Sequence, residues 1–254
     1  MAKLYYKDEY CTLLHGEAIE TMQKMIEKNL KFDAIITDIP YGTTACKWDI
    51  VIPFENMWKC LNNLKKEDSP VLLFGSEPFS SFLRTSNIKE FKYDWIWNKK
   101  LAGNGILAKK QPLKIHEIIS VFYKHEYLPI MEIRGKPRKK LTNNPKISEI
   151  NNGDGIKHAT ETFNNEYYPT SIIEFSLAGL RTGRLHPTQK SLELMEYLIK
   201  TYTNEGNTIL DFTCGSGTTL LAAKNLKRKC YGIEKEEKYC EITKNRLEKI
   251  NNEL

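Results

Sequence analysis

Gly206-Asn207-Thr208-Ile209-Leu210-Asp211-Phe212-Thr213-Cys214-Gly215-Ser216-Gly217-Thr218-Thr219 is the stretch whose reading decides the fold. Its first five residues are a turn and a short apolar run, the pattern of a buried strand. Leu220 to Leu226 follow with apolar spacing suited to a helix packed on a sheet. Strand, Gly-rich turn and helix together aim backbone N–H groups and a positive helix end at a ligand. Gly215 and Gly217 let the backbone approach that ligand closely, because no Cβ intrudes. Lys229-Cys230-Tyr231-Gly232-Ile233 reads as the next strand and ends in Glu234. In such folds a carboxylate about one βαβ unit beyond the turn hydrogen-bonds a ribose. The half-site therefore suits a nucleoside.

The turn does not name that nucleoside. A dinucleotide fingerprint needs a third glycine where this chain has Leu220, and no G-x-x-x-x-G-K-[ST] phosphate loop occurs. Taken alone, G-x-G fits a cofactor site or a tight turn equally. Asp211 and Glu234 at the two strand ends favour the cofactor site.

Composition sets the frame. A chain of 254 residues accommodates one large α/β domain or a core with a smaller insert. With 41% hydrophobic residues it can bury a real core, and its net charge of +6 leaves room for a polyanionic partner. Cys11, Cys46, Cys60, Cys214, Cys230 and Cys240 form no C-x-x-C pair and no zinc spacing with the histidines, so no metal is expected. No signal peptide and no membrane-spanning run is legible, which predicts a reduced, cytoplasmic protein.

Upstream, Cys11 to Leu14 reads as a strand, followed by His15-Gly16-Glu17 and a helix whose apolar residues run from Ala18 to Leu30. Phe32 to Thr37 is the next strand and runs straight into Asp38-Ile39-Pro40-Tyr41-Gly42. Pro40 ends the pairing and holds Ile39 extended, so a turn forms at the strand's C-terminal end, where open α/β sheets bind ligands. Helices over Phe54–Lys65 and Glu77–Ser86 alternate with strands over Pro70–Gly75, Phe91–Trp97 and Ile118–Tyr123. This alternation predicts a doubly wound sheet.

From roughly Lys124 to Leu185 no sustained periodicity is legible. Asn98 to Lys146 holds twelve Lys or Arg against three Glu. A charge run alone is a solvated face, but here Trp95, Trp97, His116, His125 and Tyr127 are interleaved with it, a mix suited to phosphate contact and base stacking. The stretch reads as a recognition insert over about 126–185, between core segments 1–125 and 186–254. The core resumes with His186-Pro187-Thr188-Gln189-Lys190, read as opening an amphipathic helix capped by Thr188. A last helix is read over Lys235–Ile250.

Asp38-Ile39-Pro40-Tyr41 and the Asp211–Thr219 turn together resemble the amino-group DNA methyltransferases that use S-adenosylmethionine. The order of catalytic motif, basic insert and cofactor turn looks like the β class of that family. The resemblance covers nearly the whole chain except the insert. It implies a Rossmann-like, mostly parallel doubly wound sheet with an inserted target-recognition segment. It also implies a restriction-modification type of enzyme that methylates the exocyclic N6 amine of adenine in double-stranded DNA, by base flipping and direct in-line transfer.

By resemblance, the Asp38 carboxylate and the Ile39 carbonyl accept the amine's hydrogens, Pro40 stiffens the turn and Tyr41 stacks on the base. Asp211, Thr213, Gly215, Ser216, Gly217 and Thr218 fall to the cofactor's methionine part and the turn. Glu234 takes the ribose, Glu17 the adenine side, and Lys190 the methionine carboxylate, while His186 admits a structural role as well. The chain departs from the family's pattern at Ile39, which replaces a usual proline, at Glu17, where aspartate is more usual, and at Phe212-Thr213, where Pro-Phe is common. An N4-cytosine enzyme and a non-catalytic DNA-binding relative are the alternatives. Monomer or homodimer, and a partner restriction nuclease, stay open.

Overall fold

The computed structural model describes residues 2–43, 46, 49–103, 105–142, 160–177 and 189–251. Two compact units emerge, one of Met1–Leu128 with Ser171–Leu254 and one of Pro129–Thr170.

The larger unit is built on a nine-stranded sheet. Its strands are β1 (Lys3–Lys7), β2 (Cys11–His15), β3 (Ala34–Thr37), β4 (Val71–Gly75), β5 (Phe91–Gly103), β6 (Lys114–Phe122), β9 (Ile172–Glu174), β10 (Thr208–Asp211) and β11 (Lys229–Glu234). They lie in the order β1-β2-β11-β10-β3-β4-β6-β5-β9. β2, β11, β10, β3 and β4 pair in parallel, β6 runs against both β4 and β5, and β1 runs against β2. This is the doubly wound, mostly parallel sheet that the strand–helix alternation predicts.

The strand sequences explain why both faces are covered. β3 reads Ala-Ile-Ile-Thr and β4 Val-Leu-Leu-Phe-Gly, and every residue in them is buried, as parallel strands with helices on both sides require. Alternate side chains then enter opposite cores. Ala34, Ile36, Leu72 and Phe74 pack with α4 (Leu192–Tyr202), α5 (Thr218–Asn225) and α6 (Glu237–Asn251). Ile35, Val71 and Leu73 pack with α1 (Ala18–Glu27), α2 (Phe54–Leu64) and α3 (Phe79–Thr85). Each fully buried Leu or Ile contributes roughly 1.5–3 kcal/mol, so the central strands are the stable part of the frame.

Several expectations need correction. β1 went unread, because an edge strand with little burial carries little apolar alternation. The helix read as opening at His186 begins at Leu192, and its cap is Ser191, whose hydroxyl accepts the Leu194 N–H. Gln189 and Lys190 precede the helix, and His186, Pro187 and Thr188 lie outside the described residues.

The smaller unit contains a ribbon of β7 (Glu132–Thr142) and β8 (Thr160–Tyr167), antiparallel to each other. No strand was expected here, because Lys, Arg, Asn and Glu mask the period-two pattern when both faces are wet. The 171–177 part of the stretch assigned to the insert belongs to the larger unit, where β9 pairs in parallel with β5.

Candidate active site

β3 and β10 are parallel neighbours, with Ala34 beside Ile209 and Ile35 beside Leu210. Their C-terminal ends therefore bring Asp38 and Asp211 to one edge of the sheet, although they are far apart in sequence. The Thr37 hydroxyl donates to Asp211 Oδ1 at 2.7 Å, and the Thr213 N–H donates to the same oxygen at 3.2 Å. The Thr213 hydroxyl lies 2.7 Å from that of Thr37 and donates to the Asp38 carbonyl at 3.1 Å. Thr37 was missed in the sequence. Its signal is a lone polar residue closing an apolar strand.

A cavity of about 560 Å³ opens over this edge, lined by Glu17, Asp38–Tyr41, Lys190, Asp211–Ser216, Thr218 and Glu234 among others. That volume lies within the range of small-molecule sites. Gly217 is not among the lining residues. It stands at the head of α5 with φ +73°, and a Cβ there would come within 2.3 Å of Thr243 Cγ2. Its part is to turn the chain tightly against α6. From α6, Thr243 donates to the Gly215 carbonyl at 3.0 Å and Arg246 donates to the Ser216 carbonyl at 2.5 Å.

Glu234 ends β11 and accepts the Gly215 N–H at 2.9 Å and the Glu236 N–H at 2.7 Å. Burial pushes its carboxyl up to about 7 against the pull of those bonds. Burial likewise raises Asp211 to about 6, opposed by hydrogen bonds from Thr219, Thr37 and Thr213. Glu17 caps α1 by accepting the Glu20 N–H at 2.9 Å, and it also faces the cavity. The Glu234 carboxylate at the end of β11, a close-approach glycine turn and an apolar wall that includes Ile39, Phe212 and Ile233 form a set of groups that fits an adenosyl cofactor.

Lys190 lines the same cavity, as does Glu117. Its ammonium sits 2.5 Å from Asp38 Oδ2 and 3.2 Å from Glu117 Oε2. Glu117 also pairs with Lys99 at 3.1 Å. Burial works against the Lys190 charge, but the two carboxylates outweigh it and hold the ammonium above the ordinary lysine range. Burial works against Glu117 too, and Lys190 and Lys99 outweigh it and hold that carboxyl down. Asp38 is raised by its burial, with Lys190 pulling the other way. Lys99 and Glu117 were missed. Each stands among other charged and polar residues of its strand, so neither is singled out locally.

The Tyr41 hydroxyl donates to Asp38 Oδ1 at 2.5 Å, and its ring lies 5.1 Å from that of Phe79. Burial and then the Asp38 charge keep that hydroxyl protonated. Ile39 is buried in the core, which fixes the backbone on either side of it. Asp49, also unread, accepts the N–H groups of Gly42 and Thr43 at 2.9 Å each and pins the segment after Tyr41. Trp95 and Trp97 correct another expectation. Both are core residues, with Trp95 Nε1 donating to the Tyr202 hydroxyl, so they are no free stacking surface.

In the smaller unit the guanidinium groups of Arg134 and Arg138 lie 5.4 and 5.8 Å from the Tyr167 ring centroid. Arg138 Nε also donates to the Tyr167 hydroxyl at 3.0 Å. Ile133 and Phe163 are exposed on the same ribbon. Among the described residues, no helix is long and apolar enough to cross a membrane. No group of three or more His, Cys, Asp or Glu among them could hold a metal ion.

An acidic Asp-Ile-Pro-Tyr turn and a Gly-rich nucleoside turn, on adjoining parallel strands and facing one cavity, define a methyltransferase of the Rossmann-like class. The family model described as DNA methylase (N6/N4 methyltransferases) matches residues 32–245, and the chain belongs to that family. It is 48% identical to the type II methyltransferase M2.DpnII of Streptococcus pneumoniae, covering 99% of this chain and 94% of that one. It is 26% identical to the DNA adenine methyltransferase YhdJ of Escherichia coli, over 96% and 84% of the two chains. The crystal structure of the M1.HpyAVI–SAM complex superposes with a TM-score of 0.64 at 28% identity, over 93% of this chain and 98% of that one. The cytosine-N4-specific PvuII methyltransferase shares the fold, with a TM-score of 0.66 at 16% identity, over 98% and 93%.

Proposed function

We propose that this DNA methylase transfers a methyl group from S-adenosylmethionine to the N6 amine of adenine, within a specific site in double-stranded DNA. The observation that carries the reading is the shared cavity, in which Asp38 and Glu234 stand at the ends of β3 and β11 and the Asp211–Thr218 turn lies between them. The aspartate at the first position of the Asp38–Tyr41 motif supports adenine over cytosine.

The adenine amine is a weak nucleophile because its lone pair is delocalised into the ring. Asp38 and the Ile39 carbonyl accept its N–H hydrogens and favour a tetrahedral nitrogen. S-adenosylmethionine supplies, when bound, an electrophilic methyl group on sulfur. With it bound, the amine nitrogen would take that methyl group as its bond to sulfur broke, leaving a neutral thioether. The proton shed by the nitrogen would pass to solvent while Asp38 and the Ile39 carbonyl held the remaining N–H hydrogen. Asp38, held above the ordinary carboxylate range by burial, is suited to accept hydrogen bonds from that charged nitrogen. Glu234 holds the ribose hydroxyls, Glu17 faces the adenine side, and Asp211, Thr213, Gly215, Ser216 and Thr218 hold the rest of the cofactor, with Gly217 shaping the turn.

The base leaves the duplex at a cost of a few kcal/mol. Stacking of about 1–3 kcal/mol on an aromatic ring offsets part of this, and Tyr41 is placed to provide it. Arg134, Lys136 and Arg138 of the ribbon meet the phosphates. A restriction-modification role and a partner nuclease accord with the type II relatives.

Methyl transfer from radiolabelled S-adenosylmethionine to mixed-sequence duplex DNA, followed by nucleoside analysis, tests the reading. Label in N6-methyladenine is the expected result. Label in N4-methylcytosine would overturn the base, and no label would overturn the reaction. Asp38→Asn should abolish most transfer and leave cofactor binding intact.

A further inference from the structure

Asp38 is asked to accept hydrogens from an amine, yet one of its oxygens faces an ammonium and the other a phenol. The Lys190 ammonium is shared, at 2.5 Å from Asp38 Oδ2 and 3.2 Å from Glu117 Oε2. It is buried and lies 5.2 Å from the Phe74 ring centroid, so water does not compete for it freely. Glu117 is in turn anchored by Lys99 at 3.1 Å. Lys99, Glu117, Lys190 and Asp38 thus form a row of alternating charge whose sum is zero, with Lys190 buried and the other three partly buried.

We propose that Glu117 is a positioning residue that acts on Asp38 through Lys190, taking the ammonium as the target amine takes the Asp38 oxygen. The handover needs a shift of under about 1 Å, because the ammonium already touches both carboxylates. It serves the chemistry in two ways. It frees a carboxylate oxygen for the amine's N–H. It also draws a positive charge away from a nitrogen that becomes positive as the methyl group arrives, where like charges in a buried site repel strongly. Without Glu117 the ammonium has only Asp38 as a partner, and the amine must compete for that oxygen. The inference rests on the assignment of Asp38 as the acceptor of the amine.

The test uses full-length protein and a duplex containing the site at which wild-type methylation maps. Three quantities are read: cofactor affinity by calorimetry, fluorescence of 2-aminopurine placed beside the target adenine, which keeps its N6 amine, without cofactor turnover, and the single-turnover methylation rate. In Glu117→Gln, base capture and methylation rate should each fall about ten- to hundredfold, the effect of one charge-assisted hydrogen bond, while cofactor affinity stays within about threefold. Because this variant leaves the partly buried Lys99 without its partner, Lys99→Gln/Glu117→Gln is measured beside it. That pair restores a neutral row but offers Lys190 no second carboxylate.

A persistent loss in the double variant supports the handover. Recovery to the wild-type rate overturns it, because the defect would then come from the stranded lysine. Unchanged base capture in Glu117→Gln also overturns it. An Asp38→Asn variant that captures and methylates the base as the wild type does overturns the underlying reading of Asp38, and the handover with it.

Discussion

The Thr213 hydroxyl donates to the backbone carbonyl of Asp38 at 3.1 Å, joining the Gly-rich turn to the Asp38–Tyr41 turn directly. Through Thr37, the same hydroxyl is tied to the Asp211 carboxylate. Thr213→Val keeps the shape and removes the hydroxyl. With the Asp38 carbonyl unheld, misplacement of the reacting groups should lower the methylation rate by about ten- to hundredfold. Thr213→Ser should restore most of it. Single-turnover kinetics decide, and a valine variant at wild-type rate would remove Thr213 from the account.

Glu234 gives a pH signature with two opposite signs. Its carboxyl is raised by burial to about 7 in the folded protein. In the free protein this group contributes stability below the ordinary carboxylate range, and that contribution is lost as pH rises through about 7. Denaturant titrations should therefore show the Glu234 contribution declining from pH 5 to pH 8. Ribose hydroxyls, in contrast, donate to the ionised form. Cofactor affinity should rise from pH 6 to pH 8, with a proton released on binding near neutrality. Calorimetry in buffers of different ionisation enthalpy reads both, and an affinity independent of pH would contradict the ribose assignment.

Gly217→Ala should unfold more readily by about 2–4 kcal/mol, from backbone strain at positive φ together with overpacking. The added Cβ would meet Thr243 Cγ2 at 2.3 Å. Thr243→Ala in the same chain removes that methyl and should recover about half of the loss. If the second substitution recovers nothing, the turn does not depend on its fit to α6.

The ribbon arginines should act on DNA and leave the cofactor alone. Arg134→Ala and Arg138→Ala together should weaken duplex binding and flatten the slope of log affinity against log salt by about 2, roughly one per phosphate contact. Filter binding across a salt series tests this. A slope equal to wild type would place the phosphate contacts elsewhere.

The sheet was legible because its central strands are short, wholly apolar runs, as in Ala34–Ile36 and Val71–Phe74, which leave few readings. The two turns stood out for local reasons, since Pro40 restricts the backbone and Gly217 permits the positive φ of a tight turn. Lys99, Glu117 and Thr37 were not legible as a group. What joins them to the site is strand order and register, such as Trp97 opposite Glu117, and no local pattern encodes that. Lys190 shows the same limit, because its residue type fits a carboxylate without saying whose. Trp95 and Trp97 misled in the other direction, since an aromatic residue among lysines looks the same whether it faces solvent or the core.

The strand order also bears on when the protein can become active as it is made. β2 and β3 are never hydrogen-bonded to each other; β11 and β10 fill the gap between them. A nascent chain carrying Asp38 therefore has two open strand edges until residues 208–234 have left the ribosome. At ordinary rates of synthesis the interval between Thr37 and Asp211 is roughly 10–35 s. Open edges of this kind are templates for mispairing. Asp38 is thus written early and joined late by the groups that share its cavity, and the last strands to emerge both seal the sheet and complete that cavity.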